Sequence, residues 1–425
     1  MAGTLLRRVR LLDPLSQTDQ ITDVLMVDGV FQAISPELPE PSADVAILDA
    51  TGKILAPGLV DLYSHSSEPG HESRESLADL MTGAIAGGFT RLGILPDTLP
   101  PLDSPGAIRH LLDLAGASSL ALSPDLLPWA ALTQGVEGQQ MAELVELSQL
   151  RSLPIAGLGD GHPLHNPMLL QRLLEYVKPL NCPLALWPSE PALVGDGVAR
   201  AGSLALMGGL PGSPVAAETA ALATLLELVR EIGTPVHLMR ISTARSVEII
   251  AQAKAEGLPI TASTPWMNLL FSTKDVLSYD PNLRLEPPLG NSVDQEALIE
   301  GVKAGTVDAI AIDHSPYTYE EKTVPFQAAP PGVIGLEFAF SALWQHFVSS
   351  STWTALELVQ AMTLRPAMCL GLSPGHIAVG NPTEALLFDP NMSWTVNRST
   401  LRSPALNTPF LNQVLRGKVI KVWRN

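Results

Sequence analysis

Basic residues are scarce in this chain: 26 Lys and Arg stand against 43 Asp and Glu, for a net charge of −17. A surface of that sign repels phosphate backbones and anionic lipid, so neither nucleic acid nor a membrane is expected as a partner. Cysteine is scarcer still. Cys182 and Cys369 are the only two, and neither sits in a Cys-x-x-Cys pair, which leaves no disulfide framework. Every apolar run is broken by Gly, Pro or a charge well before the length of a bilayer span. The opening segment MAGTLLRRVRLLDP carries no apolar signal core followed by a cleavage site. These absences lead to the expectation of a cytoplasmic globular protein. Apolar material, by contrast, is plentiful: 46% of the 425 residues are hydrophobic and 16% are charged, which suffices for a large core.

The patterning changes twice along the chain. Residues 1 to 55 read as short strands, LLRRVRLLDP and then DVLMVDGVFQAIS, with Asp28-Gly29 as a hairpin signal between apolar runs. The last fifty residues repeat that style in GHIAVGNPTEALLFDP and QVLRGKVIKVW. The two ends together predict one small composite β-sandwich domain, residues 1–55 plus 376–425. The middle, residues 56–375, alternates instead. Eight apolar runs recur there: ILAPGLVDLYSH, FTRLGILPDT, SSLALSPDLLPW, LPIAGLGDG, CPLALWPSE, TPVHLMRIST, LPITASTPW and VDAIAIDHSP. Between them lie stretches of helical periodicity such as AETAALATLLELVREIG. Apolar strands alternating with amphipathic helices imply a parallel sheet buried on both faces, and eight such units predict an α/β fold of the (β/α)₈ barrel type. A doubly wound open sheet is the alternative, but no Gly-x-Gly-x-x-Gly follows the first strand.

In such a barrel, chemistry collects where strands end. The predicted ends are Tyr63-Ser64-His65, Asp97, Asp160-Gly161-His162, Trp187, Arg240, Trp266 and Asp313-His314. One imidazole and two carboxylates, from His65, Asp160 and Asp313, suit zinc or a similar borderline metal if they converge. Against this stand the ordinary uses of such residues, a hydrogen-bonded structural histidine and a turn-forming Asp before Gly.

The segment APGLVDLYSHSSEPG, residues 56–70, resembles the signature of the dihydroorotase and allantoinase branch of the amidohydrolases, Pro-Gly-x-x-Asp-x-His-x-His-x-Arg-Glu-Pro-Gly. Further matches follow in order: AGGFTRLGILPDT, GDGHP, ISTARSVEII, RLEPPLGNSVDQEALIEGVKAGTVDAIAIDHSPY, EEK, APPGVIGLE and NTPF. The resemblance implies a barrel with a β-sandwich from both termini, as the patterning does. It also implies a pair of zinc ions, a metal-bound hydroxide attacking a ring amide, and a final Asp that shuttles the proton.

Carried over residue by residue, the ligand set is incomplete. His65, Asp160 and Asp313 keep the family's residues, with Asp313 at the proton-shuttle position, while Tyr63, Trp187 and Arg240 stand where it has histidines. A phenol ionises near pKa ~10 and is a poor substitute ligand. No Lys lies between 131 and 177, so a carboxylated-lysine bridge is not available there. Arg240 is expected to pair with Asp160 or Asp313 in a bidentate fork and to take over the metal's neutralising role. His71, His162 and His165 are weaker candidates for replacement ligands.

The substrate positions are eroded too. Ser67, Glu286, Gly290, Tyr317 and Asp97 stand where the family has Arg, Asn, Arg, His and Asn, and the Pro331-Gly332 backbone contact is retained. The resemblance therefore points to an inactive member of the pyrimidine (UMP) pathway, a homodimer that acts as a structural partner of aspartate transcarbamoylase. The alternative is an active cyclic amide hydrolase working with a single remnant zinc.

Overall fold

The computed structural model describes residues 3–149 and 153–424, so residues 1–2 and 425 of the expected terminal domain lie outside it. Five strands open the chain: β1 (Gly3–Asp13), β2 (Thr18–Val27), β3 (Val30–Ser35), β4 (Val45–Asp49) and β5 (Ile54–Pro57). The β2–β3 turn places Asp28 at φ 50° and Gly29 at φ 73°, the paired left-handed turn whose twist matches that of the flanking strands. β1 is bulged between Leu6 and Val9. Its first half runs parallel to β4 and its second half parallel to β5, so one strand feeds two wings of sheet. Leu6, Val24, Phe31, Leu55 and Leu387 fill a core of their own beneath it.

Gly58 divides the first apolar run into β5 and β6 (Leu59–Ser64). A Cβ at Gly58 would lie 2.1 Å from Thr90 Oγ1, so only glycine permits this approach. Parallel strands follow: β7 (Phe89–Ile94), β8 (Asp125–Ala130), β9 (Gly157–Leu158) and β10 (Ala185–Leu186). A side ladder of β11 (Ala199–Arg200) and β12 (Gly212–Ser213) precedes β13 (Val236–Leu238), β14 (Ile260–Pro265) and β15 (Ala309–Ala311). β6 to β9 form one parallel sheet, and β10, β13, β14 and β15 form the other. A parallel bridge from Leu158 to Leu184 joins them at one seam. At the other, Asp313 N donates to Tyr63 O (3.1 Å) and His65 N to His314 O (2.8 Å). The eight strands thereby close into a barrel, and each of the eight apolar runs marks one of them, β8 running one residue past its run. β16 (Glu384–Thr395) and β17 (Val414–Arg424) return to the outer sheet, where β16 pairs with β5.

Inside the barrel, small residues (Ala185, Ala309 and Ala311) leave room for Trp129, whose Nε1 donates to Leu62 O at 2.9 Å. Asp61 fastens the second seam. Its fully buried carboxylate accepts from Ser64 Oγ (2.5 Å) and Ile312 N (2.8 Å), tying β6 to the segment after β15. Burial pushes that carboxyl up to about 7 against the pull of those two bonds.

Candidate functional site

A cavity of about 190 Å³ lies over the C-terminal ends of the barrel strands. His65, Asp97, His162, Trp187, Arg240 and Asp313 all reach it, each from a different strand end. At its floor, Arg240 makes a two-pronged pair with Asp313, Nε to Oδ2 at 2.8 Å and Nη2 to Oδ1 at 2.7 Å. Its Nη1 donates to Gly161 O at 2.6 Å, and Nη2 also lies 3.2 Å from His65 Nε2. The guanidinium is 4.7 Å from the Trp187 ring centre and 5.7 Å from that of Tyr63. Burial works against the arginine's charge, but Asp313 outweighs it and holds the guanidinium above its usual range. Asp313 is correspondingly held far below the usual carboxylate range, because Arg240 and His65 outweigh its burial. Both residues sit in left-handed backbone, Arg240 at φ 54° and Asp313 at φ 52°. Such geometry costs on the order of 1–3 kcal/mol per residue and persists only where its surroundings over-determine it.

The charge relay continues outward. His65 Nδ1 meets Asp97 Oδ2 at 2.5 Å, while its Nε2 lies 3.6 Å from Asp313 Oδ1. Burial alone would lower the imidazole; Asp97 and Asp313 override it and raise it to about 9. An unfolded histidine titrates near 6.5. The stabilisation from this raised group is therefore complete below about pH 6.5 and is lost as pH rises through about 9. Urea unfolding at pH 6 and pH 9.5 is expected to show a loss on the order of 2 kcal/mol in the wild type relative to His65→Gln. Equal losses in both chains would show that this pair carries no such linkage.

Tyr63 is fully buried, and its hydroxyl meets Ser263 Oγ at 3.0 Å and accepts from Arg240 N at 3.1 Å. Burial raises the phenol further from ionisation. The expected convergence of His65, Asp160 and Asp313 does not form. Asp160 turns away from the cavity and accepts from Leu132 N (2.6 Å), Thr133 N (3.1 Å) and Thr133 Oγ1 (2.6 Å). The pairing expected of Arg240 is made with Asp313 and not with Asp160. Among the described residues no group of three His, Cys, Asp or Glu side chains is placed to hold a metal ion. The donor set does not fit zinc: a guanidinium occupies the ground between His65 and Asp313, and a cation repels a cation.

The rest of the wall is poor in free positive charge. Its two arginines are both ion-paired, Arg240 with Asp313 and Arg74 with Glu321 (2.5 Å). Arg74 also lies 4.7 Å over the Tyr317 ring, and exposed Glu286 adds a carboxylate. Pro331 and Gly332 line the cavity, but Gly332 N already donates to Arg284 O at 2.9 Å. His71 and His162 line it as well, and His165 does not. His314 lies below, with Nε2 3.1 Å from Glu75 Oε2 and Nδ1 accepting from Gly335 N at 3.1 Å. Trp266 belongs to the core, stacked 5.6 Å from Phe410. Two features were not legible beforehand. The partnership of Asp97 with His65 joins loops 32 residues apart, and Asn268 reaches the wall from a short apolar helix, Met267–Leu270, with no motif to mark it.

No family model matches the chain. Full-length relatives do. The chain is 43% identical over 444 residues to a "Probable dihydroorotase-like protein" of Synechocystis sp., covering 98% of each chain. It is 35% identical over 403 residues to a dihydroorotase of Thermoanaerobacter sp., covering 95% of this chain and 91% of the relative. Among solved structures, the L-hydantoinase (dihydropyrimidinase) from Arthrobacter aurescens superimposes with a TM-score of 0.85 at 21% identity, covering 100% of this chain and 97% of that one. A dihydropyrimidinase from Brevibacillus agri gives 0.80 at 20% identity over 99% of this chain and 93% of its own. At these identities the structures establish the shared fold, a barrel with an attached β-sandwich.

Proposed function

The chain belongs to the dihydroorotase family, and from that premise we propose that it is a non-hydrolytic member which serves pyrimidine (UMP) biosynthesis as a structural partner of aspartate transcarbamoylase. The observation that carries the reading is the position of Arg240. Its guanidinium takes up both oxygens of Asp313 and faces His65 Nε2. Asp313, the residue at the family's proton-shuttle position, is thereby neutralised by a fixed cation. A carboxylate held far below its usual range is a weak base, so it has little capacity to take a proton from an attacking water. No metal-bound hydroxide is available to attack a ring amide when its ligands are engaged in this way. What survives intact is the scaffold, a closed barrel and an outer sheet shared by both termini. A chain retained for its surface keeps those features and has no need of the ligands.

Metal analysis of the purified chain, joined to a dihydroorotate hydrolysis assay in added zinc, tests the first half. The expected result is no stoichiometric zinc and no turnover. Stoichiometric zinc, with turnover abolished by Asp313→Ala, refutes it. Co-purification with the transcarbamoylase tests the second half, and a failure to associate at any protein ratio removes it. The family's homodimer is the assembly expected of the chain alone, measurable by light scattering.

A further inference from the structure

Trp187, Glu286 and Pro287 also border a second and much smaller cavity, of about 20 Å³. Its polar wall is built on the side ladder. Arg200 ends β11, Ser213 ends β12, and the two are register partners, so their side chains leave the ladder as neighbours. Ser189 and Arg284 complete that wall. Arg200 is 2% exposed. Its Nη2 donates to Ser242 Oγ at 2.7 Å and to Pro288 O at 3.4 Å, and its Nε is sealed within the protein. That leaves Nη1 unsealed and without a partner among the described residues. Arg284 repeats the pattern: Nη1 donates to Leu285 O at 2.9 Å, Nε is sealed, and Nη2 is free. The hydroxyls of Ser189 and Ser213 are likewise unsealed and unbonded among the described residues.

Two carboxylates border the same space, and neither answers these donors. Glu218 is buried, and the Ser242–Thr243 turn takes both its oxygens. Oε1 accepts from Ser242 N, Thr243 N and Thr243 Oγ1, and Oε2 from Ser242 N and Ser242 Oγ. Glu286 is exposed and screened by water. Burial holds the Arg284 guanidinium below its usual range even with Glu286 near. A buried guanidinium that lacks a counter-charge is costly to keep. One water needs roughly 10–15 Å³, so the cavity admits a single particle of that size or slightly larger. Water would accept from the free donors, but it would bring two protons to a wall whose buried carboxylate is already saturated. A monatomic anion accepts from all of them and brings none. We infer that this cavity is a binding site for a small inorganic anion of the size and charge of chloride, held by Arg200, Arg284 and the Ser213 hydroxyl. Through Ser242 Oγ, Arg200 then braces the turn that follows Arg240. The inference is independent of whether the barrel mouth takes up a metal.

Thermal unfolding of the full chain in sodium chloride and in sodium gluconate, at one ionic strength, tests it. Gluconate is too large for the cavity. The melting temperature is expected to climb saturably with the chloride fraction, by about 2 °C or more. Chlorine-35 NMR of the folded chain reads the same site directly, as line broadening that bromide competes away. Arg200→Met is expected to abolish both signals. Arg284→Met gives up only one bond to a backbone carbonyl, and it reads the site should the first variant fail to fold. It is expected to weaken chloride roughly tenfold, the worth of one charge-assisted hydrogen bond. Equal melting curves in the two salts, with no broadening, would mean that water fills the space and would overturn the inference. A chloride effect that survives undiminished in either folded variant would overturn it as well, by placing the ion elsewhere.

Discussion

Arg240→Ala is expected to lower the unfolding free energy by about 3–5 kcal/mol, the largest loss of any single change at the site. The loss comes less from the contacts removed than from what remains. Asp313 would keep a buried carboxylate with no guanidinium, and Gly161 O would lose its donor. The side chains of Arg240 and Asp313 are only 5% and 13% exposed, so water replaces little of this. A second replacement separates the electrostatics from the packing. In Arg240→Met with Asp313→Leu, both charges leave together, and most of the lost stability is expected to return, since an apolar pair of similar volume often matches a buried ion pair. Backbone strain supplies a third arm. Arg240 lies at φ 54°, where any side chain with a Cβ is strained, so Arg240→Gly is expected to lose about 1 kcal/mol less than Arg240→Ala. Guanidinium unfolding of the four chains reads all three differences. A single-alanine loss below about 1 kcal/mol would mean the pair is solvated and screened, as surface pairs are.

The depth of that pair explains why the fold was legible and the site only partly so. Strand alternation is a local signal. The apolar runs mark the eight barrel strands because a strand buried on both faces has no polar side to show. Asp28-Gly29 marks its hairpin because few other dipeptides accept two left-handed residues. The substitutions at Tyr63, Trp187 and Arg240 were legible for a different reason: the flanking motifs fix their register. What those side chains do was not. Asp160 keeps the family's residue, yet its carboxylate is spent on Leu132 N and Thr133, donors supplied by a loop 27 and 28 residues earlier. Nothing in Gly-Asp-Gly-His-Pro distinguishes a carboxylate facing inward from one that caps a neighbouring loop. The Asp97–His65 contact and the unpaired amide of Asn268 are likewise products of three-dimensional closure, with no sequence spacing that announces them.

Restoring the missing imidazoles is expected to have the largest effect on metal content. A chain carrying Tyr63→His, Trp187→His and Arg240→His together should take up about one equivalent of zinc, against none expected of the wild type. The reason is both charge and donors. Removing the guanidinium lifts a fixed positive charge from between His65 and Asp313, and frees the carboxylate oxygens it now holds. Imidazoles at 63 and 65 with Asp313 then supply three nitrogen and oxygen donors, the number an open zinc site uses. A second equivalent is not expected, because the remaining site depends on Asp160, and Thr133 Oγ1 holds its Oδ2 at 2.6 Å. Adding Thr133→Ala releases that oxygen and is expected to raise the zinc content towards about two equivalents. Replacing Trp187 opens a void beside the barrel interior, so the variants should be less stable by a few kcal/mol and are best compared at low temperature, with circular dichroism confirming the fold. Two zinc ions in the triple variant would show that Thr133 does not restrain Asp160. No zinc in either variant would show that the cavity has closed around Arg240 too tightly for imidazoles alone to reopen it.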